Sequence, residues 1–565
     1  MNDLHRTAGL RLPLLRALLL AAATLPLAGA VQPGISEALR TGDLDLRKPA
    51  KPAAKFSVKP SAQSVPSEAG STRFLVKSVV LRGLRSIEES ELSSVINKLA
   101  GKEANLADLE KACSQITDYY RRRGYFLARA FLPEQEVTNG IITIEVTEAW
   151  LEFINIDNSS PVSDDMIRRK MGAITVGDVL TTDRIESAIA SAGELSGVTL
   201  TDVSLSPGLN QGATTINVTA LSTSRLAGAT YLDNYGSLYT GKNRLGYNVA
   251  YASPFGRGDM LTLAGVTTEK AGLSSYLLRY DNPINHRWDA SLTLSRTTYT
   301  LGESYAALDA HGTADSIDTE VSRTLSQGAG FKHSVTAGLG YRKLRDEIGA
   351  TVLVTPKHDA YATFGYGYRR DHDGNLTGAQ TKASVKLTCG SISFEDAAAR
   401  SLDAAGSNTQ GAYQKIEASL AHEFVLTPEF SLLLSVRGQQ TLSGKNLDGS
   451  QKIGLSGSDG VRAYSSSELM GDNGYLIRSE LRLNSWTRQR FALLPFLFVD
   501  KAHSSGGNAS SAVTSRSISD LGLGLTATGE SWRLNVELAH RLESDPALSE
   551  PTADNRLLVR LAYFF

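Results

Sequence analysis

The sequence predicts α+β repeats followed by a transmembrane antiparallel β-barrel of about 16 strands. Three observations carry this reading. From about Leu226 onward, short stretches alternate apolar and polar residues, as strands between lipid and a wet lumen do. The connections there alternate between short and long, like periplasmic turns and surface loops. Upstream, two adjacent blocks of about 75 residues share one element order, β-α-α-β-β.

At 565 residues the chain exceeds one ordinary domain. Its net charge of −1 gives no broad attraction to nucleic acid, so none is expected as a partner. Beyond the N-terminus no run of about 20 apolar residues occurs, which argues against a spanning helix but not against spanning strands. Residues 1–30 read as an export signal. Arg6, Arg11 and Arg16 precede the apolar Ala17–Leu27 stretch, and Ala28-Gly29-Ala30 is a small-x-small cleavage site. The two cysteines, Cys113 and Cys389, fall in different domains and are expected to stay unpaired, although an exported protein can join such a pair. No zinc-type spacing occurs, so no metal and no cofactor are expected.

Residues 31–72 form an arm broken by Pro33, Pro49, Pro52, Pro60 and Pro66. Its composition favours a linker. Gly34–Arg47 is its one helical candidate. Residues 73–150 then read as strand Phe74–Leu84, helices Glu88–Leu99 and Leu106–Tyr125, and strands Leu127–Leu132 and Ile141–Val146 around a turn at Thr138-Asn139-Gly140. Gly124 marks the end of the second helix. Residues 151–224 repeat this as Leu151–Ile156, Ser163–Met171, Asp183–Ala192, Val198–Leu205 and Thr214–Leu221.

Residues 225–565 carry sixteen candidate strands, from 227–235 to 555–565. In Trp532–Leu542, Trp532, Leu534, Val536 and Leu538 oppose Arg533, Asn535, Glu537 and Arg541. In Lys382–Cys389, an apolar row opposes Lys382, Ser384, Lys386 and Thr388. Trp288, Trp486 and Trp532 flank short turns, as an interfacial girdle would. The chain ends on the alternating row Leu557, Val559, Leu561, Tyr563 and Phe565. The longest loop, 442–473, contains Gly460-Val461-Arg462-Ala463-Tyr464. Downstream stands Phe498-Val499-Asp500. Pleat parity turns Asp500 inward with Phe496 and Phe498, because a carboxylate facing lipid is costly. Arg462 is the expected partner, the loop folding back into the barrel.

Tyr120-Arg121-Arg122-Arg123-Gly124-Tyr125, Ala128-Arg129-Ala130-Phe131-Leu132-Pro133 and Gly140–Val146 together resemble the first polypeptide-transport-associated (POTRA) domain of two-partner secretion transporters. This TpsB group includes the ShlB/FhaC/HecB hemolysin secretion/activation proteins. The resemblance extends through Gly460–Tyr464 and Phe498–Asp500 to the C-terminus. It implies an outer-membrane pore with periplasmic POTRA domains that recognises an unfolded exoprotein and moves it to the cell surface. It implies a lock between Arg462 and Asp500, and substrate recognition around Arg121, Gly124, Tyr125, Ala128, Ala130 and Leu132, by addition of a strand to the Leu127–Leu132 edge. It also implies a plug helix in the arm. The implied partners are a TpsA-like β-helical adhesin, hemolysin or toxin, the outer-membrane lipid, and the barrel assembly machinery reading Phe565. Two departures stand out: Ala463 and Ala502 replace family glycines.

No catalytic constellation is visible, so an enzyme is not expected. Gly193-Glu194-Leu195-Ser196-Gly197 lacks a central serine. Gly522 and Gly524 lie inside a strand run, and Asp164-Asp165 reads as a helix start. Two other classes remain: an assembly factor that inserts other barrels, which two POTRA units disfavour, and a passive porin, which has no need of them.

Overall fold

The computed structural model describes residues 73–565 apart from 138, 372–379, 467, 484–485, 489–490, 509–514, 545–546 and 551–553. The expected export signal (1–30) and the arm (31–72), with Gly34–Arg47, lie outside the described residues.

The first α+β unit contains β1 (Phe74–Val76), β2 (Ser78–Arg82), α1 (Glu89–Ile96), β3 (Lys102–Ala104), α2 (Leu106–Arg122), β4 (Arg129–Phe131) and β5 (Ile141–Thr147). The expected single first strand is therefore two. β1 pairs with β3, whereas β2 runs parallel to β5 in a sheet of order β2-β5-β4. The three-residue β3 carries the exposed Lys102 and Glu103, too short for alternation to reveal it.

Helix α2 starts at a reciprocal cap. Asn105 Oδ1 accepts from the Asp108 amide (2.9 Å), and Asp108 accepts from the Asn105 amide (3.1 Å). Leu109, Ala112, Cys113, Ile116 and Tyr120 recur at helical spacing and are buried against the sheet. The helix stops at Arg122, short of the expected Tyr125. Gly124 takes φ +88°, and the Tyr125 amide returns to the Tyr120 carbonyl (3.0 Å), so the left-handed cap consumes the last turn. Beneath this end, Glu148 accepts from the Arg85 and Ser86 amides, the Ser86 hydroxyl and the Tyr120 hydroxyl at 2.6–3.1 Å. Burial opposes its charge, but these donors outweigh burial and hold the carboxyl below the usual range.

The second unit repeats the order with β6 (Trp150–Asn158), α3 (Asp164–Lys170), α4 (Thr182–Gly193), β7 (Val198–Pro207) and β8 (Ala213–Ser222), in a sheet ordered β6-β8-β7. It rests on one rim of the barrel. Lys170, almost wholly buried, pairs with Asp289 (2.5 Å), and Glu194 pairs with Lys332 (2.7 Å).

The barrel is closed and antiparallel. Its first half is β9 (Leu226–Asp233), β10 (Arg244–Ala252), β11 (Met260–Thr268), β12 (Leu273–Pro283), β13 (Trp288–Thr300), β14 (Ala310–Gly328), β15 (Phe331–Ile348) and β16 (Leu353–Asp371). After β17 (Gln380–Phe394) and a surface helix, α5 (Ala397–Ala405), come β18 (Gly411–Val425) and β19 (Phe430–Thr441). The inserted loop holds two short strands, β20 (Ile453–Gly454) and β21 (Met470–Gly471). The wall resumes with β22 (Asn473–Leu483), its short continuation β23 (Trp486–Arg488), β24 (Phe491–Ser505), β25 (Arg516–Thr528), β26 (Trp532–Arg541) and β27 (Asn555–Phe564). With β23 counted as part of the twelfth strand, sixteen strands close through pairing of β27 with β9. Closure leaves no strand edge for lipid to desolvate.

The observed faces follow the alternation. Leu497 and Val499 are exposed outward, while Phe498 and Asp500 on the same strand are buried inward. Trp288 and Trp532 sit on the outer face. Cys113 and Cys389 are both free thiols. Strands β14, β15 and β16, at 19, 18 and 19 residues, run longer than expected. Their outer ends present Lys343, Arg345 and Glu347 outward rather than apolar residues, so no lipid-facing pattern marks them.

Candidate functional site: a loop clamped inside the barrel

The loop between β19 and β22 is a hairpin folded into the lumen. Its base is the β20–β21 pair, and the Leu455 amide donates to the Leu469 carbonyl (2.8 Å). At the tip the Val461 amide donates to the Leu455 carbonyl (3.0 Å). Gly460 makes this turn possible. A Cβ there would stand 2.3 Å from the Leu455 carbonyl oxygen, a backbone atom that cannot swing aside. Leu455, Val461, Tyr464 and Leu469 pack against wall residues Leu476, Phe498 and Ile518. Each such burial contributes about 1.5–3 kcal/mol.

This tip carries Arg462 into a cage. Its guanidinium lies over the Phe498 ring at 3.9 Å, with Phe496 at 5.7 Å. Phe498 and Phe496 in turn lie over Gly522 and Gly524 of β25, where a Cβ would stand 2.3 and 2.1 Å from the rings. The two glycines therefore make room for the cage floor. Four neighbouring strands each supply a carboxylate: Glu480 from β22, Asp500 from β24, Asp520 from β25 and Glu537 from β26. Arg462 Nη2 donates to Glu480. Its Nε lies 3.1 Å from Asp500 Oδ2 and 3.6 Å from Glu537 Oε2. Asp520 Oδ2 accepts from the Ala463 amide (2.6 Å).

The structure thus brings Arg462 and Asp500 together, both fully buried, but changes the expected two-residue fork. The Asp500 contact is not aligned for a hydrogen bond and acts as a Coulombic pair, whereas a single hydrogen bond from Nη2 goes to Glu480. Arg478, directly opposite Asp500, adds a second cation, its Nε 3.5 Å from Oδ1. Glu480, Asp520 and Glu537 were not singled out from the sequence. Their signal was inward parity on strands whose other row is apolar.

The remaining loop-motif residues fit this frame. Val461 is wholly buried, and the Tyr464 hydroxyl donates to Glu543 (3.1 Å). Ala463 is not among the residues with positive φ, so alanine is accommodated where the family has glycine. Ala502 is buried among the wall residues packed on the loop. Accordingly, Ala463→Gly should leave secretion within about twofold of wild type, whereas Gly460→Ala should displace the tip and reduce secretion at least about tenfold, since inserting atoms into a packed site costs about 1–3 kcal/mol. Protease nicking of the loop in intact cells reports the displacement.

A second set of contacts ties the loop's root across the lumen. Lys357 of β16 bridges Asp448 (2.6 Å) and Asp346 (3.0 Å). Gln451 Nε2 donates to Asp359 (2.6 Å), and Lys415 donates to the Gln451 carbonyl (2.9 Å). Burial works against the Asp448 charge, but Lys357 and Ser450 prevail and hold its carboxyl down at about 2.

The residues expected to recognise substrate lie in the first unit. Ala128 and Ala130 are buried, Leu132 packs on the same core, and the Tyr125 ring meets Tyr120 edge-on at 5.7 Å. Their side chains face the core, so a partner would meet the backbone. Strand β4 is an edge, bonded only to β5. It is three residues long, and its Ala130 amide already donates to Thr117 Oγ1 (3.0 Å). Arg121 stands exposed at the helix end.

A family model described as haemolysin secretion/activation protein ShlB/FhaC/HecB matches residues 212–527, more than half the chain. The chain belongs to this family. A POTRA domain model of ShlB type matches residues 74–149. Among curated relatives, the heme/hemopexin transporter protein HuxB of Haemophilus influenzae is 24% identical over 473 residues, covering 82% of each chain. The outer membrane transporter CdiB of Escherichia coli is 23% identical over 444 residues, covering 77% of this chain and 72% of the relative. The solved CdiB from Escherichia coli matches with a TM-score of 0.71 at 19% identity, covering 98% of this chain and 99% of that one. BamA from Haemophilus ducreyi lacking POTRA domains 1–3 matches at 0.51 and 13% identity, covering 86% and 100%. The transporter is a two-partner secretion protein of the outer membrane, with POTRA domains in the periplasm.

Proposed function

We propose that the transporter exports one unfolded exoprotein, captured by the POTRA units and passed through a lumen whose shape depends on the clamped loop. The observation that carries this reading is the buried Arg462 in a cage contributed by four strands. A loop held only by solvated contacts would need no such cage. The bond adds little net stability, because both charges lose water, but breaking it strands the rest. Its role is to fix the loop's position.

Capture at the first POTRA unit proceeds by strand addition at the edge of that unit, largely independent of side chains. The exported partner is of the β-helical adhesin, hemolysin or toxin type. Phe565, exposed at the end of the outward row and bonded through its amide and carbonyl to Gly228 (both 3.0 Å), is the signal read by the barrel assembly machinery.

The test is deletion of the transporter, followed by a census of the periplasm. One large exported protein should build up there and vanish from the cell surface. Loss of several outer-membrane barrels instead would make the transporter an assembly factor.

A further inference from the structure

The inner wall below the loop carries a feature that the clamp does not use. Lys332 of β15, Arg369 of β16 and Lys382 of β17 are direct cross-strand neighbours, in register at one level of the wall. All three point inward, since the alternate residues Phe364, Tyr366 and Val385 are exposed on the outer face. Like charges placed opposite one another on neighbouring strands repel, so folding alone does not favour such a row.

The carboxylates within reach do not neutralise it. Lys332 has Glu194 at 2.7 Å, and Arg369 has Asp371 only at 4.0 Å. Among the described residues Lys382 makes no ion pair. Of the other inward cations, Lys386 meets Glu417 at 3.0 Å and Arg279 meets Asp281 at 2.7 Å.

The row stands at the periplasmic mouth. One position beyond it, Gln327 of β14 donates to the Ser187 carbonyl in α4 (3.3 Å), and Glu194 belongs to the turn after that helix. The level above the row is Ser334, Gly367 and Ser384, side chains too small to obstruct a passing chain. Among the described residues the loop touches these strands nearer their outer ends, through Arg342 to the Ser450 carbonyl (3.2 Å), through Lys357 and through Asp359.

We infer that the β15–β17 wall is the track along which the exported chain passes, and that Lys332, Arg369 and Lys382 select acidic, extended polypeptide segments at its mouth. This rests on the secretion reading and names the chemistry that reading leaves open. A partly unpaired row of cations in a low-dielectric wall attracts anions more strongly than the same charges in water.

The test uses full-length transporter in planar bilayers. A potassium chloride gradient gives ion preference from the reversal potential. Unfolded glycine–serine peptides carrying glutamates or lysines, added on the periplasmic side, give dwell times. Wild type should prefer chloride and hold the acidic peptide about tenfold longer than the basic one. The double variant Arg369→Gln/Lys382→Gln should lose both preferences. Arg369→Lys/Lys382→Arg should keep both, as should Lys343→Gln on the outer wall. Equal dwell times in wild type, or a preference unchanged in the glutamine variant, would overturn the inference. Heat-dependent gel mobility confirms that each variant is a folded barrel. If the preferences hold while deletion of the transporter leaves every exported protein outside the cell, the secretion reading fails and the row stands. Normal export with an indifferent row defeats this inference alone.

Discussion

Arg462→Ala is expected to cut secretion of the partner protein by two orders of magnitude or more and to leave the barrel assembled. The guanidinium is fully buried, and its removal leaves Glu480, Asp500, Asp520 and Glu537 facing one another without it. Breaking a buried charge set by removing one partner costs about 3–5 kcal/mol. Applied to the docked loop, that is a shift of roughly a hundredfold or more in its population. The backbone hydrogen bonds of the sixteen-strand ladder do not involve this side chain, so heat-dependent gel mobility should be unchanged. Asp500→Ala should be milder, about tenfold, because Glu480 and Glu537 still hold the arginine. The double variant should be no worse than Arg462→Ala. Wild-type secretion by Arg462→Ala would remove the clamp from the mechanism, and strictly additive losses would mean that the two residues act separately.

Removing residues 73–150 should abolish secretion and leave a folded barrel with the second α+β unit attached. The two units have separate apolar cores, and each closes its own sheet. The contact between them includes the Thr182 amide donating to the Gly124 carbonyl (3.0 Å) and the packing of Phe126 and Leu127 on the second core. Both can be lost without touching the rim contacts of Lys170 and Glu194. The measurement is surface and periplasmic partner protein side by side. Unchanged export would place recognition elsewhere in the chain.

What was legible in the sequence follows from what each region exchanges with its solvent. Lipid on one side and water on the other impose a strict period of two, so all sixteen strands could be located and Asp500 oriented. The outer ends of β14–β16 carry Lys343, Arg345 and Glu347 on the outer face in place of apolar residues, and there the lipid-facing row stops. The clamp was half legible. Arg462 and Asp500 stand out because one lies in a long loop and the other ends an apolar strand. Glu480, Asp520 and Glu537 look like ordinary inward polar residues, and only the three-dimensional return of the loop shows that they converge. The split of the first strand was hidden because β3 is three residues long. The end of α2 was misplaced because Tyr125, apolar and well spaced, follows the glycine that turns the chain away.

The unequal strands have one more consequence. β14 is 19 residues long and β11 only 9. At about 3.3 Å per residue and a tilt of about 40°, the difference amounts to roughly 25 Å of wall, divided between the two rims, since β14 also runs on to Gly328 past Arg323, the partner of Trp288 at the inner end of β13. The outlet is therefore a spout rather than a ring. A chain leaving it is shielded from the bilayer on the β14–β16 flank and free on the opposite one, so the first segment to fold has a built-in direction in which to do so.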